Sequence, residues 1–338
     1  MKLLFIGDAN PDKKFIDIMA ASNINITKRC KKLGHLTGRR HFLRHLQYLI
    51  MAAYGVMRRK NFECVFIWQQ YIGIYYYLLT LLWPFYKKPT VLFYVIYKKS
   101  NNRIINGIKT KLFLNAFNSG LFLNVIFINK EDYLYNHIHI IYRDFVHFYQ
   151  QPSAYIENNL DKLPTEKRLF SGGVSNRNYR QLRELAEAEP AVKITIAGTA
   201  ADKASLKPLP PNVNFVTGAY GDDFDRLLLE SSAVIIPLND PRVISGQLVI
   251  LKALQAGKMI IMSENTFWSD WMSGRGKDDF IILYDGFTSL RNIITSLDEE
   301  MVRVAGGHAR TFYKKELCPE TMYHQLTGII LQQKCPAK

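Results

Sequence analysis

The chain has 338 residues, of which 48% are hydrophobic and 22% are charged, and its formal net charge is +15. This ordinary globular balance excludes a disordered chain, a collagen or a heptad coiled coil for the bulk of the protein. At about 100–200 residues per domain, the length predicts two domains.

The positive charge is confined to the first half of the chain. Residues 1–150 contain 22 Lys and Arg against 7 Asp and Glu, a net charge of +15, whereas residues 151–338 contain 22 of each. The asymmetry predicts that the first half contacts a polyanion or an anionic membrane surface. The alternative is a basic surface that has no partner.

The four cysteines indicate neither a zinc site nor a disulfide framework, because Cys30, Cys64, Cys318 and Cys335 show no CxxC spacing. Such scattered thiols fit a reducing cytosol. The most apolar stretch, residues 71–86, is broken by a proline and is shorter than the roughly 20 residues of a spanning helix. We therefore expect a buried or membrane-contacting helix there.

Short apolar strands alternate with helical patterns along the first half. The predicted strands are Leu3–Ile6, Cys64–Trp68, Val91–Ile96 and Asn124–Ile128, and the predicted helices are His41–Met57, Ile72–Trp83 and Ile104–Phe117. Continuously apolar strands that alternate with helices are typical of a parallel sheet covered on both faces.

A linker at residues 150–153 precedes a second series of the same kind. Its predicted strands are Arg168–Phe170, Lys193–Ala197, Val213–Val216, Ala233–Pro237, Met259–Met262 and Phe280–Leu283, with helices between them and after them. The prediction is an α/β protein with two doubly wound, Rossmann-like domains, residues 1–150 and 151–338, whose last helix can return to the first domain. In such folds ligands bind beyond the carboxyl ends of the strands.

Two loops in the second half could bind an anion. The first follows a strand with Gly172 and Gly173 and reaches Arg177 just before a helix. Glycines let backbone N–H groups approach an anion, a helix N-terminus favours negative charge, and arginine bridges phosphate oxygens. The alternative is a tight loop without a ligand.

The second loop contains Ser245, Gly246 and Gln247 between the strand AVIIP and a helix that ends at Gly257. Ser245 could cap that helix or offer its hydroxyl to a phosphate. Taken alone, this loop is more typical of a purely structural connection.

In combination, these features resemble the C-terminal domain of GT-B glycosyltransferases, in particular those similar to family 4. The matching stretches are LFSGGVSNRNYRQLREL, KITIAG, NVNFVTGAYGDDFDRLLLESSAVIIPL and SGQLVILKALQAGKMIIMSE. The resemblance covers roughly residues 165–285, and the first half shares only the β/α pattern and the opening LLFIGD.

The resemblance implies a metal-independent enzyme in which the second half holds a nucleotide-diphosphate sugar and the first half holds the acceptor. Basic side chains and a helix N-terminus would stabilise the departing diphosphate. The residues implied to bind the donor are Gly172, Gly173, Arg177, Ser245, Gly246, Gln247 and Lys252.

One departure from the family pattern concerns a pair of glutamates eight residues apart. These would fall at Ile244 and Lys252, and neither residue is acidic. The ribose contact and the retaining mechanism that the glutamates would imply therefore do not follow. Lys252 is either a solvated helix residue or a second cation near the phosphates.

An inverting enzyme needs a general base near the acceptor hydroxyl. Asp8, in the loop after the first strand, is the preferred candidate, and a carboxylate that only caps the loop is the alternative. The further candidates are Asp12, Asp144, His35, His41 and His45.

Residues 28–60 contain ten Lys and Arg interleaved with apolar residues at helical spacing. A basic amphipathic helix of this kind can lie on an anionic membrane, or pack its apolar face on its own sheet. The residues assigned to the membrane or acceptor are Arg39, Arg40, Arg44, Arg58, Arg59 and Lys60.

The sequence thus predicts a glycosyltransferase on the cytoplasmic face of a membrane, acting on a lipid-linked or nascent-polysaccharide acceptor in a cell-envelope pathway. No cofactor beyond the nucleotide sugar, no metal and no nucleic acid are expected. The alternatives are a GT-B protein without transferase activity, such as a sugar-nucleotide epimerase or a degenerate binding partner, and a basic polyanion-binding protein.

Overall fold

The computed structural model describes residues 1–30, 41–95, 102–127, 139–141, 143–145, 152–160, 168–243, 245–265 and 279–332. The chain divides into two compact units, one formed by residues 1–149 with 320–338 and the other by residues 150–319. In the described part, each unit contains one six-stranded sheet with flanking helices, as the predicted α/β class requires.

The first unit has a fully parallel sheet in the order β2-β1-β3-β4-β5-β6. Its strands are β1 (Lys2–Gly7), β2 (Asn25–Cys30), β3 (Cys64–Trp68), β4 (Thr90–Val95), β5 (Phe122–Phe127) and β6 (Arg143–Phe145). Its first helices are α1 (Lys13–Ala21), α2 (His41–Arg58), α3 (Gln70–Leu82) and α4 (Arg103–Phe117).

The second unit has a fully parallel sheet in the order β12-β11-β10-β7-β8-β9. Its strands are β7 (Arg168–Gly172), β8 (Lys193–Gly198), β9 (Val213–Thr217), β10 (Ala233–Ile236), β11 (Met259–Ser263) and β12 (Ile281–Tyr284). Its helices are α5 (Ala154–Glu157), α6 (Tyr179–Ala188), α7 (Ala200–Ser205), α8 (Asp222–Leu229), α9 (Gln247–Gln255), α10 (Phe287–Ser296) and α11 (Glu299–Phe312).

The last helix, α12 (Pro319–Gln332), packs on the first unit. The Tyr323 ring lies 5.2 Å from the Phe15 ring of α1, and Glu320 accepts a hydrogen bond from Lys14. Together with α1, α12 covers one face of the first sheet, while residues of α2, α3 and α4 cover the other face. Burial on both faces explains why β1, β3 and β4 are almost continuously apolar.

In both sheets the strand order reverses next to the first strand of the unit. β1 lies between β2 and β3, and β7 lies between β10 and β8. Doubly wound folds bind ligands at the carboxyl ends of the strands beside such a reversal. Asp8 immediately follows β1, and Gly173 immediately follows β7, so the loops that the sequence singled out lie at these positions.

Lys258 is a buried cation just before β11. Its ammonium donates hydrogen bonds to the carbonyl oxygens of Leu229, at 2.8 Å, and Ser231, at 2.6 Å. Desolvation lowers the pKa of Lys258 from 10.5 to about 8. The folded state thus favours the uncharged amine more than water does, and the neutral amine can still donate to both carbonyl oxygens.

This buried lysine predicts a pH-dependent stability. Between pH 8 and 10.5 the unfolded chain binds a proton that the folded chain has lost, so the lysine's contribution to the free energy of unfolding rises with pH. The total rise is about 3 kcal/mol. Urea unfolding gives the free energy of unfolding of wild type and of Lys258→Met. We expect the value for wild type, relative to that for the variant, to rise by this amount from pH 7.5 to 10.5. An unchanged difference across that range would contradict the assignment.

Candidate functional site

Hydrogen bonds between asparagine side chains and backbone groups hold the loops after β7 and β10 together. The Asn176 amide donates to the Asp240 carbonyl oxygen at 2.9 Å, and the Asp240 N–H donates back to the Asn176 amide oxygen at 2.9 Å. The Asn239 amide donates to the Arg177 carbonyl oxygen at 2.8 Å. The two predicted anion-binding loops therefore form one surface at the strand reversal.

The Arg177 side chain folds back over the first of these loops. Its Nε donates to the Gly172 carbonyl oxygen at 3.0 Å, and its Nη1 donates to the Ser175 carbonyl oxygen at 2.8 Å. These two bonds orient the plane of the guanidinium without neutralising its charge.

Gly173 makes room for this guanidinium, and Gly246 lies beside it. Gly173 has φ +115°, and a Cβ there would lie 2.7 Å from Arg177 Nη2. Gly246, from the second loop, has φ +91°, and its Cβ would lie 3.9 Å from the same nitrogen and 3.1 Å from Ile236 Cγ2. Both positions need left-handed backbone, which glycine adopts without strain. Arg177 Nη2 therefore lies at the junction of the two loops.

The charge of Arg177 has no acidic partner in the described part of the chain. Desolvation lowers the pKa of its guanidinium, and no carboxylate opposes that effect. A partly buried cation without a counterion is costly for folding. An anion bound at this junction would remove that cost.

The N-termini of α6 and α9 begin at the same two loops. Asn178 and Gly246 occupy the N-cap positions, and neither helix has a side-chain cap. Of the two alternatives for Ser245, the capping role is wrong, because Gly246 occupies the N-cap position. The Ser245 hydroxyl instead accepts a hydrogen bond from the Asn176 amide at 3.2 Å. Backbone N–H groups at uncapped helix N-termini are suited to binding phosphate.

Lys252, on α9, was predicted to be either solvated or a second cation near the phosphates, but in the structure it pairs with a carboxylate. Its ammonium donates to Asp225 of α8, whose side chain is only 2% exposed, and lies 5.8 Å from the centre of the Phe224 ring. Because Asp225 already compensates this charge, we do not include Lys252 among the proposed diphosphate ligands.

Asp8, after β1, interacts with two side chains of α2, Tyr48 and Arg44. The Tyr48 hydroxyl donates to Asp8 Oδ2 at 3.1 Å. Desolvation raises the pKa of Asp8, while the Tyr48 hydrogen bond and the positive charge of Arg44 oppose the rise. A half-buried carboxylate with a raised pKa is better suited to accept a proton than an ordinary surface aspartate.

Tyr48→Phe is expected to raise the pKa of Asp8 further, because it removes a hydrogen bond that stabilises the carboxylate. The change can be measured by carbon NMR titration of the aspartate carboxyl groups, with Asp8→Asn to assign the resonance. A pKa of Asp8 that is unchanged or lower in Tyr48→Phe would show that the hydrogen bond has no such effect.

The other candidate bases have different surroundings. Asp12 caps α1 by accepting from the Lys14 N–H at 2.8 Å, and Asp144 on β6 accepts a hydrogen bond from the Asn124 amide. His45 is partly buried, and its Nδ1 lies 3.0 Å from the Tyr75 hydroxyl within a cluster of tyrosine rings. His35 and the side chain of His41 lie outside the described residues.

No protein-family model matches the chain, and no curated protein matches it in sequence. Solved structures do match it over nearly its whole length. Anabaena HepE in complex with UDP is 12% identical, has a TM-score of 0.64, and is aligned over 98% of this chain and 100% of that chain. The HepE complex with UDP-glucose is 13% identical, with a TM-score of 0.61 over 98% and 99% of the two chains.

A structure described as trehalose-6-phosphate from E. coli bound with UDP-2-fluoro glucose is 8% identical, with a TM-score of 0.62 over 99% of each chain. The chain has the GT-B fold. The resemblance seen between residues 165 and 285 therefore extends, as a fold, to the first half, where the sequence showed only the β/α pattern.

The basic surface of this GT-B protein needs one correction. Arg58 and Lys60 are exposed, as the assignment to a membrane or acceptor requires. The same assignment is wrong for Arg59, because only 1% of this residue is exposed. Arg39, Arg40 and Ile244 lie outside the described residues. The exposed large apolar residues of α2 are Phe42, Leu43, Leu46, Leu49, Ile50 and Met57.

The sequence interpretation missed Tyr48 and Asp225, which are the partners of Asp8 and Lys252 in the structure. No local spacing connects either pair, since 40 residues separate the first and 27 the second.

Two further observations concern the described residues alone. No group of three or more His, Cys, Asp or Glu could hold a metal ion, and no helix is long and apolar enough to cross a membrane.

Proposed function

We propose that this GT-B protein is a glycosyltransferase that moves a sugar from a nucleotide-diphosphate donor to a lipid-linked or nascent-polysaccharide acceptor at a membrane surface. The observation that carries the proposal is the Arg177 guanidinium, which has no acidic partner among the described residues and lies at the junction of two glycine loops and two helix N-termini. The structures of similar fold that hold UDP and UDP-glucose support a nucleotide-sugar donor.

The donor diphosphate is proposed to bind at this junction. Arg177 contacts the phosphate oxygens, and the backbone N–H groups that begin α9, at Gly246 and Gln247, add donors. The Gly173 N–H already donates to the Ala197 carbonyl oxygen at 3.1 Å, so Gly173 serves the site by leaving room for Arg177. The Ser245 hydroxyl lies beside them. When the sugar leaves, negative charge grows on the diphosphate, and these fixed donors stabilise it without a metal ion.

Asp8 is proposed as the general base of the first unit. It takes the proton of the acceptor hydroxyl as that oxygen forms its bond to the sugar carbon and the diphosphate departs. Tyr48 and Arg44 keep the carboxyl group oriented and ionised, because both lower its pKa against the effect of burial. Direct attack by the acceptor would invert the configuration of the sugar carbon.

The membrane is proposed as the site of the acceptor, on the cytoplasmic face and by peripheral contact. The exposed apolar residues of α2 and the net charge of +15 on residues 1–150 support this. An anionic surface attracts each nearby Lys or Arg by about 1 kcal/mol, and the apolar side chains can enter the interface.

The test is a panel of UDP-, GDP-, ADP- and dTDP-sugars, assayed for release of free nucleotide diphosphate with detergent-extracted lipid acceptors and EDTA. We expect turnover with one nucleotide, and a raised melting temperature in its diphosphate. If no nucleotide diphosphate raises the melting temperature, the transferase proposal fails. Nucleotide binding without turnover would instead favour a GT-B binding partner or epimerase.

A further inference from the structure

The loop between α3 and β4 exposes a dense group of apolar side chains. We define this loop as residues 81–88, which includes the last two residues of α3. The exposed fractions are 81% for Leu82, 58% for Trp83, 62% for Phe85 and 65% for Tyr86. The rings of Trp83 and Phe85 contact each other edge to face, with centroids 5.9 Å apart. Soluble proteins rarely leave so many large apolar side chains exposed together unless the surface binds something.

The buried Arg59 side chain determines how this loop is presented. Its Nη1 donates to Thr80 Oγ1 at 2.8 Å, and its Nη2 donates to the carbonyl oxygens of Trp83 and, at 2.5 Å, Phe85. Both carbonyl groups therefore point toward the protein interior at Arg59. The side chains of these two residues remain largely exposed.

Positive charge surrounds the same loop. Lys87 and Lys88 continue the loop toward β4, and the exposed Arg58 and Lys60 flank Arg59. The nearest acid in sequence, Glu63, accepts a hydrogen bond from the Lys2 N–H of β1, so its carboxylate is turned toward the neighbouring strand. The loop thus combines an apolar tip with a basic border.

We propose that the loop of residues 81–88 inserts into the interface of an anionic bilayer, and that Arg59 is the positioning residue that holds it in the inserting shape. Trp and Tyr rings favour the headgroup level, Leu and Phe enter the acyl boundary, and the bordering Lys and Arg contact anionic headgroups. Charge complementarity and the aromatic composition select a lipid surface over a protein partner. The inference deepens the membrane part of the proposed function and does not require transferase activity.

The experiment uses the full chain and vesicles of phosphatidylcholine and phosphatidylglycerol at a ratio of about 4:1, a ratio chosen to provide anionic headgroups. In flotation, we expect Trp83→Ser and Phe85→Ser each to lower the partition coefficient at least tenfold. Tyr220→Ser is the matched control, because Tyr220 is an aromatic residue that is 74% exposed on the second unit. UDP binding is also measured for every variant, so that a failure of the donor site can be distinguished from a failure of membrane insertion.

Insertion itself is measured with brominated phosphatidylcholine, which quenches nearby tryptophan. Wild-type fluorescence should be quenched on vesicles, and Trp83→Phe should still bind while losing most of the quenching. Arg59→Met should keep UDP binding but lose at least fivefold in partitioning, and Arg59→Lys should recover part of it. Equal flotation of wild type and Trp83→Ser, or equal quenching in Trp83→Phe, would overturn the proposal. Self-association that is lost in Trp83→Ser and independent of lipid would overturn it in favour of a second copy.

Discussion

Arg177→Ala should weaken UDP binding by about 10–100-fold, a loss of about 1.4–2.8 kcal/mol. The guanidinium is already oriented by the carbonyl oxygens of Gly172 and Ser175, so its remaining donor capacity is available to an anion without further ordering. Turnover should fall by a further factor of about 10²–10³, because the diphosphate gains negative charge as the sugar leaves. Isothermal titration and initial rates separate the two effects.

Arg183→Ala is the control for this variant. Arg183 lies on α6, the helix that follows the Arg177 loop, but its guanidinium already pairs with Glu187 at 2.9 Å. We expect it to bind UDP like wild type. Equal affinity for Arg177→Ala and Arg183→Ala would remove Arg177 from the donor site and, with it, the observation that supports the transferase function.

Asp8→Asn should lower kcat by about 10²–10⁴-fold, the range that a positioned general base contributes. The amide preserves the shape of the side chain and can still interact with the Tyr48 hydroxyl, but it cannot accept the acceptor proton. UDP affinity should not change, because the donor is proposed to bind on the second unit. Rates at saturating donor and acceptor measure the effect.

The matched control is Asp12→Asn. Asp12 is close in sequence but caps α1, and asparagine caps helices about as well as aspartate. This variant should retain wild-type rates. If Asp8→Asn is as active as Asp12→Asn, Asp8 serves only its local hydrogen bonds, and another group must take the acceptor proton.

The fold could be predicted wherever a strand is buried on both faces, because such strands are continuously apolar. β1, β4 and β10 are examples, and in each the described apolar residues are almost fully buried. The edge strand β2, with sequence NITKRC, was missed because it pairs on one side only and most of its side chains are exposed. The short β6 contains two charged residues among three and shows no strand pattern.

The candidate site was predictable where residues near in sequence act together, as in the Gly172–Arg177 loop. It was not predictable where the partner comes from a distant element. Arg59 appeared exposed within a run of three basic residues, but a 3₁₀ turn directs it inward toward α3. The local sequence shows that a residue is charged. Whether its side chain is exposed to solvent, pairs with a carboxylate or bonds a backbone carbonyl depends on the tertiary fold.

The charge asymmetry between the two halves fits what each half is proposed to bind. The second half is neutral overall, and the proposed donor site uses two helix N-termini and one arginine that no described carboxylate neutralises. The +15 of the first half includes Arg44 beside Asp8 and the basic border of the apolar loop at residues 81–88. Donor binding should therefore be less sensitive to salt than vesicle binding, since exposed charges are screened over about 10 Å at 0.1 M salt.

The most direct test of the central claim is a crystal structure of the protein with UDP. We predict the diphosphate at the junction of the two loops, with phosphate oxygens within hydrogen-bond distance of the Arg177 guanidinium and of backbone N–H groups at Gly246 and Gln247. A diphosphate bound elsewhere on the protein, or a junction that stays empty at a UDP concentration that saturates the melting-temperature shift, would contradict the account.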